Sequence, residues 1–394
     1  MFSVVVPSEL LERSHGFVEN AGRPEGYEAQ RTILKERDAL APTEGLDSDN
    51  TLYTTQPSIR MDATPAAFSD GWTECLLYPD VKALILTTPG FPSPLFRPSS
   101  RGYRLGPSPN KGRGLFTTRK ISAGDLVLSE RPLTLTPAWI STRVRYLKEL
   151  TAEEKVQTQI YEWEQTFKVL FDRLHPDYRT AFMALANSHQ RDGSGPIGGI
   201  IRTNALGVRC LQTGRYSAEE ARTLRRGIYS AVCREISRLN HSCSPNTTAK
   251  FDVASFSYQL FAARDIPKGE ELKFSYTALN ALAEARQTEL EPYGFRCTCS
   301  ACRTPESDAR RALSFVFPVE TIEDCLEKLS LLEEEGLQVA EEYCETLKSL
   351  MNLYLGRGDV HNASKYARKL ASRPWSPLAD LARSYPLHFN RSRC

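Results

Sequence analysis

Residues 238–246 of this chain read RLNHSCSPN. Asparagine and serine beside a proline are typical of a hydrogen-bonded turn. A histidine such as His241, taken alone, is more often a structural residue than a catalyst. The accompanying motifs favour a functional interpretation of this stretch, because a glycine pair precedes it in the chain and a tyrosine-bearing strand follows it.

The two accompanying segments are weak signals when each is taken alone. Upstream lies Gly112-Arg113-Gly114, where two glycines would let the backbone approach a ligand closely, although a simple β-turn is equally compatible with it. Downstream, residues 269–277 read GEELKFSYT, a turn that leads into a strand carrying Tyr276. Their combination with the histidine segment is what indicates a site.

The ten cysteines are unevenly distributed, which favours metal binding over a disulfide framework. Zinc prefers four tetrahedral ligands, so a cluster of three cysteines needs one more from elsewhere. Cys243 is the best candidate for that fourth ligand, with Cys210 and Cys233 as alternatives; a set of idle reduced thiols is the competing interpretation. The three clustered thiols are Cys297, Cys299 and Cys302. Those expected to be packing or surface thiols are Cys325, Cys344 and Cys394.

The composition limits the classes of protein to consider. In 394 residues, 50 Lys and Arg against 48 Asp and Glu leave a net charge of +2, so a basic protein that coats nucleic acid is not expected. Hydrophobic and charged fractions of 41% and 25% are typical of a globular protein. No apolar run approaches the roughly 20 residues that cross a bilayer. The opening MFSVVVPSELLER is a poor secretory signal. We therefore expect an intracellular protein of the nucleus or cytoplasm, with no membrane partner.

The apolar pattern predicts mainly β-structure with helical additions. Twelve of the 24 prolines precede residue 111, which predicts an irregular extension over residues 1–100, with packed islands at Gly71–Tyr78 and a β-like Val81–Thr87. Apolar residues at three- to four-residue spacing predict helices over Trp139–Ala186 and Ser217–Arg238. Helix–turn–helix hairpins resembling tetratricopeptide repeats are predicted over residues 321–373. The predicted strands are residues 112–122, 126–136, 247–251, 258–264 and 271–276.

Taken in order, the motifs resemble those of the SET-domain protein lysine methyltransferases, most closely the branch typified by SET-and-MYND proteins and their fungal relatives. GRGLF is similar to the opening motif of that family and RLNHSCSPN to its central motif. GEELKFSYT is similar to the strand that carries its tyrosine, and YGFRCTCSAC to its cysteine-rich post-SET segment. Residues 201–205, IRTNA, resemble a patch that precedes the central motif. The resemblance covers about residues 110–305, and it departs from the branch in one respect: residues 115–209 contain no cysteine, so the MYND zinc module is missing.

The resemblance implies a fold and a domain order. The fold would be a mainly β SET fold (β-clip, with a pseudoknot-like crossing, an exception to the usual rule against threading), an α-helical insertion and a C-terminal tetratricopeptide-like helical segment. The implied organisation is an extension at 1–100, a SET domain at 101–280 with its insertion at about 139–224, a post-SET segment at 281–310 and a helical region at 311–394.

The resemblance also implies a cofactor and roles for individual residues. S-adenosylmethionine would be approached by the backbone of Gly112, Arg113 and Gly114 and held by Asn240 and His241. Further cofactor contacts would be Asn204 and Phe295. Tyr276 would be the active-site phenol, also in contact with the cofactor, and Tyr293 would line the lysine channel. A structural zinc ion would be held by Cys243, Cys297, Cys299 and Cys302.

The function implied is methyl transfer to lysine side chains of a protein substrate, histone or non-histone. One alternative is a catalytically inactive SET scaffold that serves as a protein-interaction module, because fold does not imply function. Against it, a decayed site usually loses one of its parts, and here the glycine pair, the Asn–His pair and the tyrosine are all present. A zinc-dependent nucleic-acid binder is disfavoured by the balanced charge and by the absence of paired zinc-finger spacing.

Overall fold

A computed structural model describes residues 51–58, 69–138, 140, 152–190, 192–213, 228–376 and 378. Within these ranges the chain forms short strands, three groups of helices and two 3-10 turns, at Ile236–Arg238 and Glu291–Tyr293. The strands are β1 Leu52–Gln56, β2 Thr73–Leu77, β3 Tyr103–Pro107, β4 Arg113–Thr117, β5 Leu126–Glu130, β6 Thr134–Pro137, β7 Leu206–Val208, β8 Tyr229–Val232, β9 Asn240–His241, β10 Thr247–Asp252, β11 Ser257–Ala262 and β12 Glu271–Phe274. The helices are α1 Pro79–Thr87, α2 Ala152–Arg173, α3 Pro176–Met183, α4 Pro196–Asn204, α5 Ala283–Leu290, α6 Ser300–Arg303, α7 Ser307–Val316, α8 Ile322–Glu334, α9 Glu341–Gly356 and α10 Val360–Ala371.

The strands form three sheets, of orders β1-β2-β6-β8-β7, β10-β11-β5 and β3-β4-β12-β9. The third sheet concerns the site most, because it joins the glycine-containing hairpin to the NHS segment. In it β12 pairs antiparallel with β4 on one side and parallel with β9 on the other. A parallel pair needs a long crossover, so two stretches more than 30 residues apart meet in this sheet, with β9 at its edge.

A common core lies beneath these sheets. Leu115 on β4 and Leu272 on β12 are both fully buried in it, and they face each other across the ladder. Ile236, the first residue of the 3-10 turn, and Leu239, directly after the turn, join the same cluster. Burying an aliphatic side chain of this size contributes about 1.5–3 kcal/mol. Successive side chains of a strand point to opposite faces, so burial of the apolar residues also fixes where the polar residues between them lie.

Part of the N-terminal region is regular, which corrects the prediction of an irregular extension over residues 1–100. β1 pairs antiparallel with β2, and β2 pairs parallel with β6, so both belong to the five-stranded sheet. Cys75, Leu76 and Leu77 have no exposed surface. Neither β1 nor β2 contains a proline, so the proline content of the whole region misled. Residues 1–50 lie outside the described ranges.

The segment predicted as β-like, Val81–Thr87, is helical. Pro79 occupies the first turn of α1, where a missing N–H costs nothing and the fixed φ suits a helix. Asp80 adds a carboxylate at the positive end of the helix. These start signals outweigh the β-propensity of the apolar run that follows them.

The helical insertion is present as α2, α3 and α4, which share a core around Trp163 and Phe167. The prediction of a helix over Ser217–Arg238 is wrong for residues 229–232, which form β8, while residues 236–238 form a 3-10 turn. There β8 is buried at every position and pairs with β6 and β7, since Tyr229 and Val232 suit a central strand. Residues 217–227 and Trp139 lie outside the described ranges.

The C-terminal helices were predicted from their apolar stripes, and helices α8, α9 and α10 confirm them. They share one cluster that includes Leu329, Leu347 and Leu370. Thr321 starts α8 with a capping box, in which Asp324 is the reciprocal partner. Their likeness to tetratricopeptide hairpins stays a prediction. Among the described residues, no helix is both long enough and apolar enough to cross a bilayer.

Candidate active site and metal centre

The NHS segment is held edge to edge against the strand that leads to Tyr276. Asn240 pairs with Lys273 and His241 with Phe274, both in parallel register. The backbone amide of Tyr276 then donates to Nδ1 of His241 over 3.0 Å. Tyr276 and His241 are 35 positions apart in the chain. They are joined by strand pairing and by a hydrogen bond from the main chain of Tyr276, in addition to side-chain packing.

Tyr276 is a half-buried phenol whose hydroxyl has a well-defined acceptor. Its hydroxyl donates to the carbonyl oxygen of Leu239 over 2.5 Å. Burial raises the pKa of Tyr276 well above its ordinary value. The hydroxyl is thus protonated at physiological pH and has its hydrogen directed at a carbonyl, which leaves an oxygen lone pair for a ligand.

The glycine bend lies directly beside Asn240. Gly112 has φ of +70°, a conformation that favours glycine. At Gly114 an added Cβ would collide with the amide of Asn240 and the carboxylate of Glu271. The Asn240 amide donates to Oε1 of Glu271 over 2.8 Å and to the carbonyl oxygen of Arg113 over 3.3 Å. The missing side chain at Gly114 is what allows strand β4, Asn240 and β12 to meet.

Sequence reasoning missed Glu271. This carboxylate fixes the orientation of the Asn240 side chain, and its own side chain is 12% exposed. The signal was present in GEEL, within the segment that also carried Tyr276, but a glutamate after a turn looks like an ordinary solvated charge.

Four rings form an aromatic cluster around the tyrosine. The centroid of Tyr276 lies 5.2 Å from that of His241, 4.9 Å from that of Tyr293 and 6.5 Å from that of Phe295. Gly294, with φ of +70°, reverses the chain between the last two rings. The structure thus brings together Tyr276, Tyr293, Phe295 and His241, which came from three separate stretches of sequence.

Asn204 lies at the last position of α4, on the other side of the NHS segment. Its amide nitrogen donates to the carbonyl oxygens of Ala186 and Ile200, over 2.6 and 2.7 Å. Its own carbonyl accepts from the hydroxyl of Ser237, which precedes Asn240 in the chain. Both amide hydrogens therefore serve the backbone of the insertion, and a cofactor contact of Asn204 stays a prediction.

Four cysteine sulfurs converge next to the aromatic cluster. Sγ of Cys243 lies 3.5 Å from that of Cys302 and 4.0 Å from that of Cys297. Together with Cys299, the four sulfurs lie within 4.8 Å of one another. A tetrahedral zinc ion with Zn–S bonds of about 2.3 Å separates its sulfurs by about 3.8 Å, so the thiols fit such an ion.

The two alternative fourth ligands lie elsewhere. Cys233 is buried in the common core. The Cys210 thiol is 3.8 Å from the carbonyl oxygen of Phe251. Within the described ranges, the side chains that lie close enough together to hold a metal ion are those of Cys243, Cys297, Cys299 and Cys302.

His241 lies between the thiols and Tyr276. Its Nε2 is 3.3 Å from Sγ of Cys243, and because Nδ1 accepts the amide hydrogen of Tyr276, Nε2 carries the ring proton and donates to the sulfur. The histidine is 1% exposed, and burial lowers its pKa to about 3. A neutral imidazole thus connects the cysteine cluster to the tyrosine.

The C-terminal helices reach the back of the same segment. Arg311, on α7, is buried and donates to the carbonyl oxygen of Cys243 over 2.9 Å while its Nε is paired with Glu335 at 3.2 Å. The hydroxyl of Ser244 in turn donates to the carbonyl oxygen of Glu335 over 2.6 Å.

Comparison with known proteins finds one matching domain family and several similar proteins. Residues 112–277 match the model of the SET domain. The histone-lysine N-methyltransferase set5 of Schizosaccharomyces pombe is 29% identical over 210 residues, which are 53% of this chain and 53% of that protein. The human histone-lysine N-methyltransferase SMYD3 is 38% identical over 84 residues, 21% of this chain and 18% of that protein. The SET domain and MYND-type zinc finger protein 6 of S. pombe is 40% identical over 79 residues, 19% of this chain and 16% of that protein. The chain therefore spans about half the length of set5 and less than a fifth of the other two.

Proposed function

Because the chain contains a SET domain, we propose that it is a protein-lysine N-methyltransferase that uses S-adenosylmethionine. The observation that carries the proposal is the position of Tyr276. Its half-buried ring lies in a wall of aromatic rings, and its backbone amide is hydrogen-bonded to His241 of the Asn240–His241 pair. A scaffold that only binds proteins has no need of a desolvated phenol in such a cluster.

The cofactor would lie against the glycine bend and the NHS segment. The open space beside Gly112, where an added Cβ would meet nothing within 4 Å, supports a close approach of backbone to ligand. Asn240 and His241 would hold the ends of the cofactor, with Phe295 and Asn204 as further contacts. S-adenosylmethionine supplies an electrophilic methyl group on a positively charged sulfur.

The protein would promote transfer mainly by alignment and desolvation. A free lysine has a pKa near 10.4, so only about one in 2,500 is neutral at pH 7. The rings of Tyr276 and Tyr293 form an apolar wall that disfavours the charged amine. The amine lone pair would form the new N–C bond as the bond from the methyl group to the cofactor's sulfur breaks, and the proton would leave to solvent. The Tyr276 oxygen would orient the methyl group through weak C–H contacts.

The proposed zinc ion has a structural role. Residues 297–302 begin two positions after Phe295, and a metal bound by their three thiols and Cys243 would fasten that segment to the NHS segment. Tyr293 and Phe295 would then be held against Tyr276. No transfer step needs the metal, so its removal should open the pocket rather than abolish a chemical group.

The substrate class we propose is a lysine side chain in a protein, histone or non-histone, in the nucleus or cytoplasm. Two of the similar proteins are named as histone-lysine N-methyltransferases, which supports a protein substrate. We expect no direct binding to nucleic acid.

The test is transfer of a labelled methyl group from S-adenosylmethionine into cell extract and into purified histones, followed by peptide mapping. The expected result is label on lysine that depends on Tyr276, accompanied by calorimetric binding of the cofactor. Cofactor binding without any transfer would indicate either that the proteins tested are not its substrates or that this chain is a catalytically inactive relative of the similar enzymes. Absence of both from folded protein would refute the proposal in favour of a scaffold.

A further inference from the structure

Arg286 is a fully buried arginine beside the cysteine cluster. It lies on α5, its side chain has no exposed surface, and its Nη2 is 3.9 Å from Sγ of Cys302. The same guanidinium donates to the carbonyl oxygens of Ala281 and Ala301. Its Nε is buried without a hydrogen-bond partner among the described residues.

The positive charge of this arginine is poorly compensated by acidic side chains. A guanidinium is always protonated in proteins, and burying one is costly unless an opposite charge accompanies it. The carboxylate nearest to it, that of Asp308, is 3.4 Å away, is 30% exposed and also accepts the backbone amide of Ala283 over 2.8 Å. Four neutral thiols would leave the arginine with this partial counter-charge alone.

The neighbouring arginine shows the contrast. Arg311 is equally buried, but it is paired with Glu335, a carboxylate that is itself 4% exposed. Its contact with the cluster is the carbonyl oxygen of Cys243 rather than a sulfur. Arg311 therefore has its counter-charge within the helices, whereas Arg286 faces the sulfurs.

We propose that Arg286 is a positioning residue of the metal centre, which balances the negative charge of a loaded four-thiolate cluster and holds Cys302 by an N–H···S bond. Four thiolates around a divalent ion carry a net charge of −2, and a buried guanidinium at the sulfurs offsets part of it. The inference rests on the metal site of the proposed function and not on methyl transfer. It assigns a role to a residue that no motif contains.

The experiment measures metal retention by the full chain. Wild type, Arg286→Met and Arg286→Lys are purified without chelator, zinc per chain is determined, and the rate of zinc transfer to a chromogenic chelator is followed. Loss of an outer partner of a metal ligand typically weakens metal binding 10- to 100-fold. We expect Arg286→Met to show that loss, and Arg286→Lys to recover part of it because the charge remains while the planar fork is lost.

A matched control separates this role from the general cost of losing a buried arginine. Arg202 is 2% exposed and is paired with Asp192 at 2.7 Å, on helix α4 rather than on the cysteine-bearing segment. Arg202→Met should retain zinc like the wild type. Cobalt substitution gives a second readout, since the sulfur-to-cobalt charge-transfer bands should change in Arg286→Met and not in Arg202→Met.

The outcomes are distinguishable. The proposal would be overturned if wild type and folded Arg286→Met released zinc at the same rate. It would also be overturned if Arg286→Met and Arg202→Met accelerated zinc release equally. If Arg286→Met does not fold, Arg286→Lys is the deciding variant. Zinc release and cobalt bands in Arg286→Lys that are identical to those of the wild type would then overturn the proposal. A wild-type protein that binds no metal would instead refute the zinc site itself.

Discussion

The backbone amide of Tyr276 donates to Nδ1 of His241 over 3.0 Å, while the other nitrogen of that ring faces Sγ of Cys243 at 3.3 Å. One imidazole therefore contacts both the proposed active-site strand and the proposed metal ligand. Occupancy of the cysteine cluster and the shape of the tyrosine pocket should be linked, and the link is reciprocal by thermodynamic necessity.

We predict from this link that zinc removal weakens cofactor binding and that the cofactor slows zinc release. Typical coupling between two sites is about 5- to 150-fold. Calorimetry of S-adenosylmethionine with zinc-loaded and stripped protein checks the first half, and chelator kinetics with and without cofactor check the second. Identical cofactor affinities for the two forms would contradict the link.

Tyr276→Phe should lower turnover while leaving the fold intact. The variant keeps the ring and loses the hydroxyl that orients the reacting group, and misalignment at a reacting centre costs on the order of 10²-fold. The lost hydrogen bond to Leu239 is worth only about 0.5–1.5 kcal/mol of stability. Tyr343→Phe is the control, because that hydroxyl is bonded to Glu333 in the C-terminal helices. Equal turnover of Tyr276→Phe and wild type would remove the hydroxyl from the mechanism.

Cys299→Ser should lose both zinc and activity, from about one zinc per chain in the wild type. A serine hydroxyl is a poor replacement for a thiolate at a four-sulfur site. Cys325→Ser is the matched control, since Cys325 is buried in the helical core away from the cluster. Elemental analysis and transfer assays on both variants check the prediction. A Cys299→Ser protein that keeps its full metal content would contradict it.

Gly114→Ala should impair cofactor binding more than any other single methyl addition in β4. The new Cβ would displace the Asn240 amide and the Glu271 carboxylate, which belong to the proposed pocket. Gly356→Ala, at the end of α9, meets nothing within 4 Å and should be tolerated or slightly stabilising. Cofactor calorimetry and thermal unfolding separate the two variants. Wild-type cofactor affinity in Gly114→Ala would show that the cofactor does not lie there.

The stability of the protein should fall as pH rises through the range set by Glu130. Burial raises the pKa of this carboxyl to about 7 from a usual value near 4.5, although it accepts the backbone amides of Glu235 and Ile236. The folded state therefore binds more protons than the unfolded state between about pH 4.5 and pH 7. The stabilisation is fully present below the unfolded pKa and is lost as pH rises through the folded one, at up to about 1.4 kcal/mol per pH unit.

Glu130→Gln should flatten that dependence, since the amide is neutral at every pH and keeps an acceptor for the two backbone amides. Urea unfolding at half-unit steps from pH 4.5 to pH 8 checks the prediction. The pH dependence due to Glu130 is the difference, at each pH, between the unfolding free energies of the wild type and the variant. Parallel curves for wild type and variant would show that the carboxyl titrates at its ordinary pKa.

The parts of the site that lie in local motifs could be predicted from sequence. The glycine bend, the NHS segment, Tyr276 and the three late cysteines each carry their chemistry within a few residues, and the fourth sulfur, Cys243, was found because it lies inside one of those motifs. Arg286 could not be found, because in the helix AEARQTEL it looks like a solvated charge and its burial depends on packing against a distant cluster.

The wrong predictions have the same physical origin. Val81–Thr87 is a good strand by propensity, but a proline at the start of α1 and packing of one face decide for a helix. Residues 228–232 were included in a helix because their pattern was considered without neighbours, whereas pairing of β8 on both edges makes them a central strand. Tertiary context overrode weak local preference in both cases.

The contacts of Arg311 and Ser244 have a consequence for any exchange of parts between relatives. Both connect the NHS segment to Glu335, at the end of a helix nearly 100 residues further along the chain. A chimera that joins these sheets to the helices of another protein would leave the Cys243 carbonyl and the Ser244 hydroxyl with mismatched partners, at and directly beside a proposed metal ligand. The helices should therefore be inherited and engineered together with the pocket, as a matched set.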